Sequence, residues 1–453
     1  MSTEQPTIPL PERPNLEQLK KRAKEIAAQR TIPLSEAQFQ LAQGYGFASW
    51  PKLKAHVELV ARLSREPAGE DFLALACVFT DDAAPGRIER AVALLADDPS
   101  LRTRDSWHAA ACASADGVRR ADARTDGGPF AWEPLLYLCY SRIPASEADV
   151  VATATALLDA GADPNAGYLW HGMPSPFTAL TGVLGAGEGD EPEHPHWRAL
   201  ATLLLERGAN ANDAQGLYNR QFRRSDDHLA LLFDYGLGAG DGGPWRARLG
   251  DQMESPFEMV QHQLRWAIHH NHVDRVRLFA ERGVDLTTPF DGRPAWAHQA
   301  RGKTPAEWAR LCGHDEIVEL LAAHGATAAA LDPVDQYVAD VMAGRTPSPA
   351  ARDAVRGARP SLVVQATATG RTDAVRVAVA EGFDVNALGR ADAPVEQPWQ
   401  TALHSAVERD DHAMVDLLLE LGADPTIEDA RFHATPLGWA EHFGNEPMAA
   451  RLR

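Results

Sequence analysis

One spacing constrains this chain more than any other feature. A valine stands seven residues before a glycine at Val276 and Gly283, Val318 and Gly325, Val375 and Gly382, and Val415 and Gly422, with apolar runs such as Val415–Leu421 between them. Fourteen residues before the valine slot stands a Thr or Ser: Thr304, Ser361, Thr401, and Thr435 ahead of Ala449. Such repetition means short units that cannot bury their apolar faces alone and must stack.

The unit has a direct physical reading. The Thr or Ser caps a first helix by accepting a free first-turn N–H. Pro305 and Pro436 follow at the first helical position, where a missing N–H costs nothing. Leu403, Ala406 and Val407 then share one helical face. A short turn, for example Cys312–Asp315, leads to a second helix that stops at a glycine able to turn left-handed. Turn formers come next in Gly161-Ala-Asp-Pro-Asn165, Gly208-Ala-Asn-Ala-Asn212, Gly382-Phe-Asp-Val-Asn386 and Gly422-Ala-Asp-Pro-Thr426.

This pattern resembles the ankyrin repeat. The likeness is carried by Thr401-Ala-Leu-His-Ser-Ala406 with Gly422-Ala-Asp424, by Thr304-Pro305 with Gly313-His314, and by Ala434-Thr-Pro-Leu-Gly-Trp-Ala440. It extends over residues 68–453 at about 33 residues per unit, stretched by insertions. The resemblance implies an all-α fold in which helix–turn–helix pairs, joined by projecting hairpin loops, stack into a curved solenoid. The layout is also similar to bacterial ankyrin-repeat proteins with a short helical N-terminal module, and it implies no assigned activity. Two units lack the glycine stop and end in Pro-Ser-Leu, at Leu101 and Leu362. They mark the openings of two blocks, 67–330 and 331–453, the second expected to stack on the first.

Residues 1–66 differ. Leu16, Leu19, Ala23 and Ile26 make an amphipathic helix, a second is expected over Ser35–Gln43 and a third over Trp50–Leu63. Residues 1–65 hold ten Lys or Arg against six Asp or Glu, so this module carries +4 where the whole chain carries −19, leaving −23 on the remainder. A helical cap over the end of the array is the expected role. The competing one is a basic module for nucleic acid or an acidic partner. Strong overall acidity disfavours nucleic acid, whose affinity comes from clustered Lys and Arg. No window approaches the ~20 apolar residues of a membrane span. Four scattered cysteines without a CxxC pair predict neither disulfides nor zinc, and fit free thiols in a reducing cytoplasm.

The insertions 121–133, 167–176, 187–197, 238–256, 289–302 and 389–399 carry Trp132, Trp170, Trp197, Trp245, Trp296 and Trp399. Tyr168, His171, His196, Arg198, Arg246, Arg293 and His298 accompany them. Trp, Tyr and Arg are the usual anchors of interfaces, so these loops are a candidate binding edge. The alternative is that each tryptophan packs its own loop. In 217–224, Tyr218, Asn219 and Arg220 replace an alanine-rich helix, which marks either a binding site or a polar brace. His262, His269, His270 and His272 cluster, but His262 aligns with the cap slot and His272 with His314, so no metal is assigned. Gly236–Gly243 follows a helix instead of a strand and is read as a loop, not a phosphate cradle.

No GxSxG, HExxH or paired-carboxylate constellation appears, so no catalytic residue and no cofactor is assigned. The reading is a protein-binding scaffold for a partner of basic or mixed charge. Its alternative is a small-molecule binder or enzyme, with a pocket formed where the loops close over Tyr218, Asn219, Arg220, Trp245 and His262.

Overall fold

A computed structural model describes residues 15–45, 47, 49–63, 72–78, 86–185, 192–291, 299–389 and 398–453. The described chain is mainly helical and divides into two compact units, Met1–Met259 and Val260–Arg453.

The first unit opens with three helices, α1 (Leu16–Arg30), α2 (Leu34–Gly44) and α3 (Trp50–Leu63). Asn15 caps α1 by accepting from Glu17 N–H at 2.8 Å. Leu19 and Ala23 of α1, Leu41 and Ala42 of α2, and Leu53 and Val57 of α3 form one core, closed by Tyr45 and Phe47. Leu16, Ile26 and Trp50 pack on its edge. The periodicity of α1 therefore reads correctly. α3 also runs beside a two-stranded hairpin, β1 (Gly167–Leu169) and β2 (Pro176–Thr178), which pair antiparallel with Gly167 opposite Thr178.

Beyond this module the helices come in pairs and touch in two layers. In the first unit the first helices Pro134–Tyr140, Ala179–Leu184 and Ala214–Gln221 stack in sequence, and so do the second helices Glu147–Asp159 and Trp197–Glu206. In the second unit Leu362–Ala368, Ala402–Glu408 and Pro436–His442 stack likewise, each packed on its own second helix.

Local chemistry sets each boundary. Thr304 caps Pro305–Leu311 and Glu307 reaches back to the Thr304 N–H at 2.8 Å. Thr435 accepts from Gly438 N–H at 3.2 Å. At Thr401, His404 replaces the usual Glu: its Nδ1 accepts the Thr401 N–H at 3.2 Å and its Nε2–H donates to Ala434 carbonyl at 3.0 Å. Ser361 departs from the expected cap. It stands before Leu362–Ala368, but its backbone is not extended (φ −98°, ψ 28°) and its side chain accepts no first-turn N–H. His262 departs further: it lies inside the helix Pro256–His269, whose cap is Ser255, paired reciprocally with Glu258. The Ser-x-x-Glu signature was the better guide to that start.

In five of the pairs the turn between the helices uses the left-handed conformation just before the second helix's cap. Gly313, Gly370 and Gly444 take it at φ 75°, 71° and 65°, and Asn271 and Asp410 at 55° and 54°. Gly313 has a second reason: an added Cβ would lie 2.2 Å from the Met342 carbonyl oxygen. The stops Gly161, Gly208, Gly236, Gly283, Gly325, Gly382 and Gly422 all have positive φ.

A side-chain bridge then joins successive pairs. Asn165 Nδ2 donates to Gly208 carbonyl at 2.9 Å and its Oδ1 accepts from Asn210 N–H at 2.9 Å. Asn386 does the same to the next stop, donating to Gly422 carbonyl at 3.4 Å and accepting from Asp424 N–H at 2.8 Å. The asparagine four residues past one stop thus fixes the backbone of the next.

Gly422 has open space where a Cβ would go, so only its left-handed backbone (φ 92°) resists a side chain. Gly422→Val should destabilise the C-terminal pairs by about 1–2 kcal/mol. Asn386→Ala should cost about 1 kcal/mol. Urea denaturation of both variants checks this, and an unchanged midpoint would remove the assigned role.

Candidate functional site

The tryptophans of the insertions do not share one environment. Trp132 is 1% exposed. Its ring lies 4.3 Å from Phe130 and 5.0 Å from Tyr168, with Tyr137 and Tyr140 at 5.3 and 5.0 Å. Tyr137 Oη donates to Gly127 carbonyl at 2.8 Å, and Tyr140 Oη to Thr178 carbonyl at 3.0 Å. This aromatic interior fastens the loop 121–133 to the β-hairpin, and Trp132 presents no surface to a partner. Trp170 is half-buried near Phe177, at 6.3 Å. Trp245 is buried, its Nε1–H donating to Asn165 carbonyl at 2.8 Å. It sits on a short helix, Gly243–Leu249, inside what the sequence reads as loop; Pro244 at the first turn is the signal. Arg293 and Trp296 lie outside the described residues.

The polar segment after Gly208 works as a brace. Arg220 is buried, ion-paired to Glu193, and its guanidinium lies 5.7 Å from the Trp197 ring centre. Arg198 covers the same ring at 4.8 Å. Trp197 is half-buried. Asn219 is buried and accepts from Gln215 Nε2 at 2.8 Å. Tyr218 sits half-buried, edge-on to Phe222 at 5.4 Å. Beside this brace Arg142 donates to Pro192 and Gly182 carbonyls, both at 2.8 Å, holding the end of the acidic loop. Arg220 and Trp197 come together; Trp245 belongs to a different cluster.

Around Trp245 the crevice lined by Asn165, Thr178, Asn210, Asn212, Asp213 and Met253 holds about 10 Å3, room for one water. Its polar wall is internally satisfied. Asp213 accepts from Thr178, from Thr181 Oγ1 at 2.8 Å and from Gly216 N–H at 2.7 Å. Burial raises the Asp213 carboxyl, and the hydrogen bonds from Thr178, Gly216 and Thr181 oppose that.

The histidines are structural. His269 stacks on Trp308 at 5.7 Å and its carbonyl accepts from His314 Nε2 at 3.2 Å. His270 stacks on Trp266 at 3.6 Å, and burial holds its imidazole well below the usual value. Cys312 Sγ is 3.8 Å from His269 Nδ1, but burial pushes this thiol up, so the pair is no thiolate–imidazolium nucleophile. Among the described residues no three His, Cys, Asp or Glu side chains converge as metal ligands.

A cluster of exposed aromatic side chains lies in the last helix pairs of the second unit. Half-buried Trp399 is 5.2 Å from Trp439 and edge-on to Phe432 at 5.8 Å. Phe432 is 60% exposed and Phe443 54%. Arg431 lies over both Trp399 and Phe432, at 5.7 and 5.1 Å. Asp429 builds this turn: its carboxylate accepts the N–H groups of Arg431, Phe432 and Ala434 at 2.8, 2.5 and 3.1 Å, and Trp439 Nε1–H at 3.0 Å. Burial works against that charge, yet these donors hold the carboxyl below the ordinary range. Phe432 and Phe443 escape a sequence reading that follows only tryptophans. The available signal was a phenylalanine inside the polar turn Arg431-Phe-His433.

A family model for the ankyrin repeat matches residues 399–430. This stretch contains Trp399, the pair Ala402–Glu408 and His412–Glu420, the stop Gly422, and Asp429. A search of the curated proteins finds none that matches the chain. No helix of the described residues is long and apolar enough to cross a membrane.

One carboxyl near the Trp132 cluster is perturbed. Burial first, then Asp163 and Asp126, raise Glu133 to about 7, with Arg124 opposing. Its folded value is above its unfolded one, so its favourable contribution is complete below about pH 4.5 and is lost as pH rises through about 7. Glu133→Gln should therefore stabilise the chain at pH 8 and change little at pH 5. Thermal melts at the two pH values check this; equal effects at both would contradict it.

Proposed function

We propose that this chain is a protein-binding scaffold of the ankyrin-repeat kind, working in a bacterial cytoplasm. The observation that carries the proposal is the aromatic–guanidinium surface of Trp399, Arg431 and Phe432, held rigid by Asp429 in and just after the matched repeat. Exposed Phe and Arg over half-buried Trp are the composition of interface anchors. A pre-ordered turn lowers the entropy lost on binding. We propose further that residues 1–66 cap the array, that 67–330 and 331–453 are its two repeat blocks, and that Trp170 and Trp197 are binding residues of the first unit. With a net charge of −19 the partner should be basic or of mixed charge. The buried cysteines, among them the free thiols Cys112, Cys139 and Cys312, fit a reducing compartment. The small-molecule reading is less favoured, since among the described residues the crevice at Trp245 is far below the ~300 Å3 of a ligand site.

The test is capture of a partner from the native host, its purification, and titration calorimetry against wild type and Phe432→Ser. Phe432→Ser should retain the helical circular dichroism spectrum and bind at least about tenfold more weakly. Affinity should also fall as salt rises from ~0.05 to ~0.15 M. Equal affinity of variant and wild type would reject the surface.

A further inference from the structure

The groove between α1 and α2 holds about 880 Å3 of open space. Arg22, Ile26 and Arg30 enter it from one face of α1, four residues apart, with Glu25 beside them, and Phe39, Leu41 and Tyr45 from the second half of α2 and its end. Phe39 is 46% exposed, and Leu34 at the start of α2 is 41% exposed. Phe39 thus stands uncovered in the slot, with Leu34 exposed elsewhere on α2.

The rim is positive. α1 carries Lys20, Lys21, Arg22, Lys24 and Arg30 against Glu17 and Glu25. Lys20 is tied to Glu17 at 2.6 Å. Arg22 and Arg30 hold neutral partners, Tyr45 Oη at 3.0 Å and Gln40 Oε1 at 2.9 Å. Among the described residues Lys21, Arg22, Lys24 and Arg30 make no ion pair. Glu25 also lines the groove and Glu17 offsets part of the Lys24 charge, so α1 keeps a net charge of +3, in a chain whose remaining residues are strongly acidic.

We propose that this groove docks an acidic amphipathic helix of a partner protein. Shape and charge together select that occupant. A slot with an apolar floor receives apolar side chains spaced i, i+3 or i+4, and i+7 on a helix, here against Ile26, Phe39 and Leu41. Carboxylates flanking that stripe meet Arg22 and Arg30, the two cations that line the slot. A bilayer surface is too flat to enter the slot, and a phosphate backbone would satisfy the rim while leaving the floor wet. The proposal goes beyond the repeat scaffold and stands independently of it.

The test uses the full chain and two fluorescein-labelled helical peptides of about 16 residues, with Leu at the stripe positions and either Glu or Lys elsewhere, titrated by anisotropy. The Glu peptide should bind at least about tenfold more tightly than the Lys peptide, and more weakly as salt rises from ~0.05 to ~0.15 M. Phe39→Ser, an exposed position, should weaken it about fivefold or more with an unchanged circular dichroism spectrum. The double variant Arg22→Glu, Arg30→Glu should reverse the preference toward the Lys peptide, with an unchanged circular dichroism spectrum. No binding of the Glu peptide, equal binding of both, or indifference to Phe39→Ser would overturn the proposal. Single-stranded DNA and phosphatidylserine vesicles are titrated in parallel. Binding of either, insensitive to Phe39→Ser and without binding of the Glu peptide, would assign the rim to a polyanion and also overturn it.

Discussion

Helices of seven to nine residues, such as Ala402–Glu408 and His412–Glu420, are too short to persist alone in water. Each exists because a neighbour covers its apolar face. That dependence explains the rest of the architecture. The pair must reverse tightly, which demands a left-handed residue at Gly313 or Asp410. It must stop cleanly, which demands Gly422 or its equivalents. It must hold register with the next pair, which Asn165 and Asn386 do by hydrogen-bonding the following stop. Stability built this way is a sum of unit and neighbour terms, with no single core.

The repeats were legible because their determinants are local. Caps at Thr304 and Thr435, prolines at the first turn and glycine stops are each set by one residue's own conformational chemistry, so spacing alone exposes them. The Ser361 and His262 assignments failed for the opposite reason. Alignment placed them in a slot, but the backbone at Ser361 is not extended, and Ser255 with Glu258 begins the helix seven residues before His262. The fate of the tryptophans was not legible. Trp132 and Trp399 lie in similar loops, yet one meets Phe130 of its own loop and Tyr137, Tyr140 and Tyr168 of other elements while the other stays half-exposed. Burial of a loop side chain depends on long-range partners that no spacing encodes.

The same division holds for polar groups. Arg220 looks like a binding residue by composition and is spent on Glu193 and Trp197. Asp429 looks like an ordinary turn aspartate and organises four donors around the most exposed aromatic surface of the second unit. The N-terminal module shows a third case: its amphipathic helices were legible, but the groove beside Phe39 arises only from how α1 and α2 pack.

Hydrogen exchange read by mass spectrometry across the second unit tests the central claim most directly. Neighbour-dependent stability predicts graded protection: fastest exchange in Pro436–Leu452, which is covered from one side, and slower exchange in Ala402–Glu420 and Leu362–Ala380. Mild denaturant should release the terminal pair first. Uniform protection that is lost in one step across all three pairs would contradict the account.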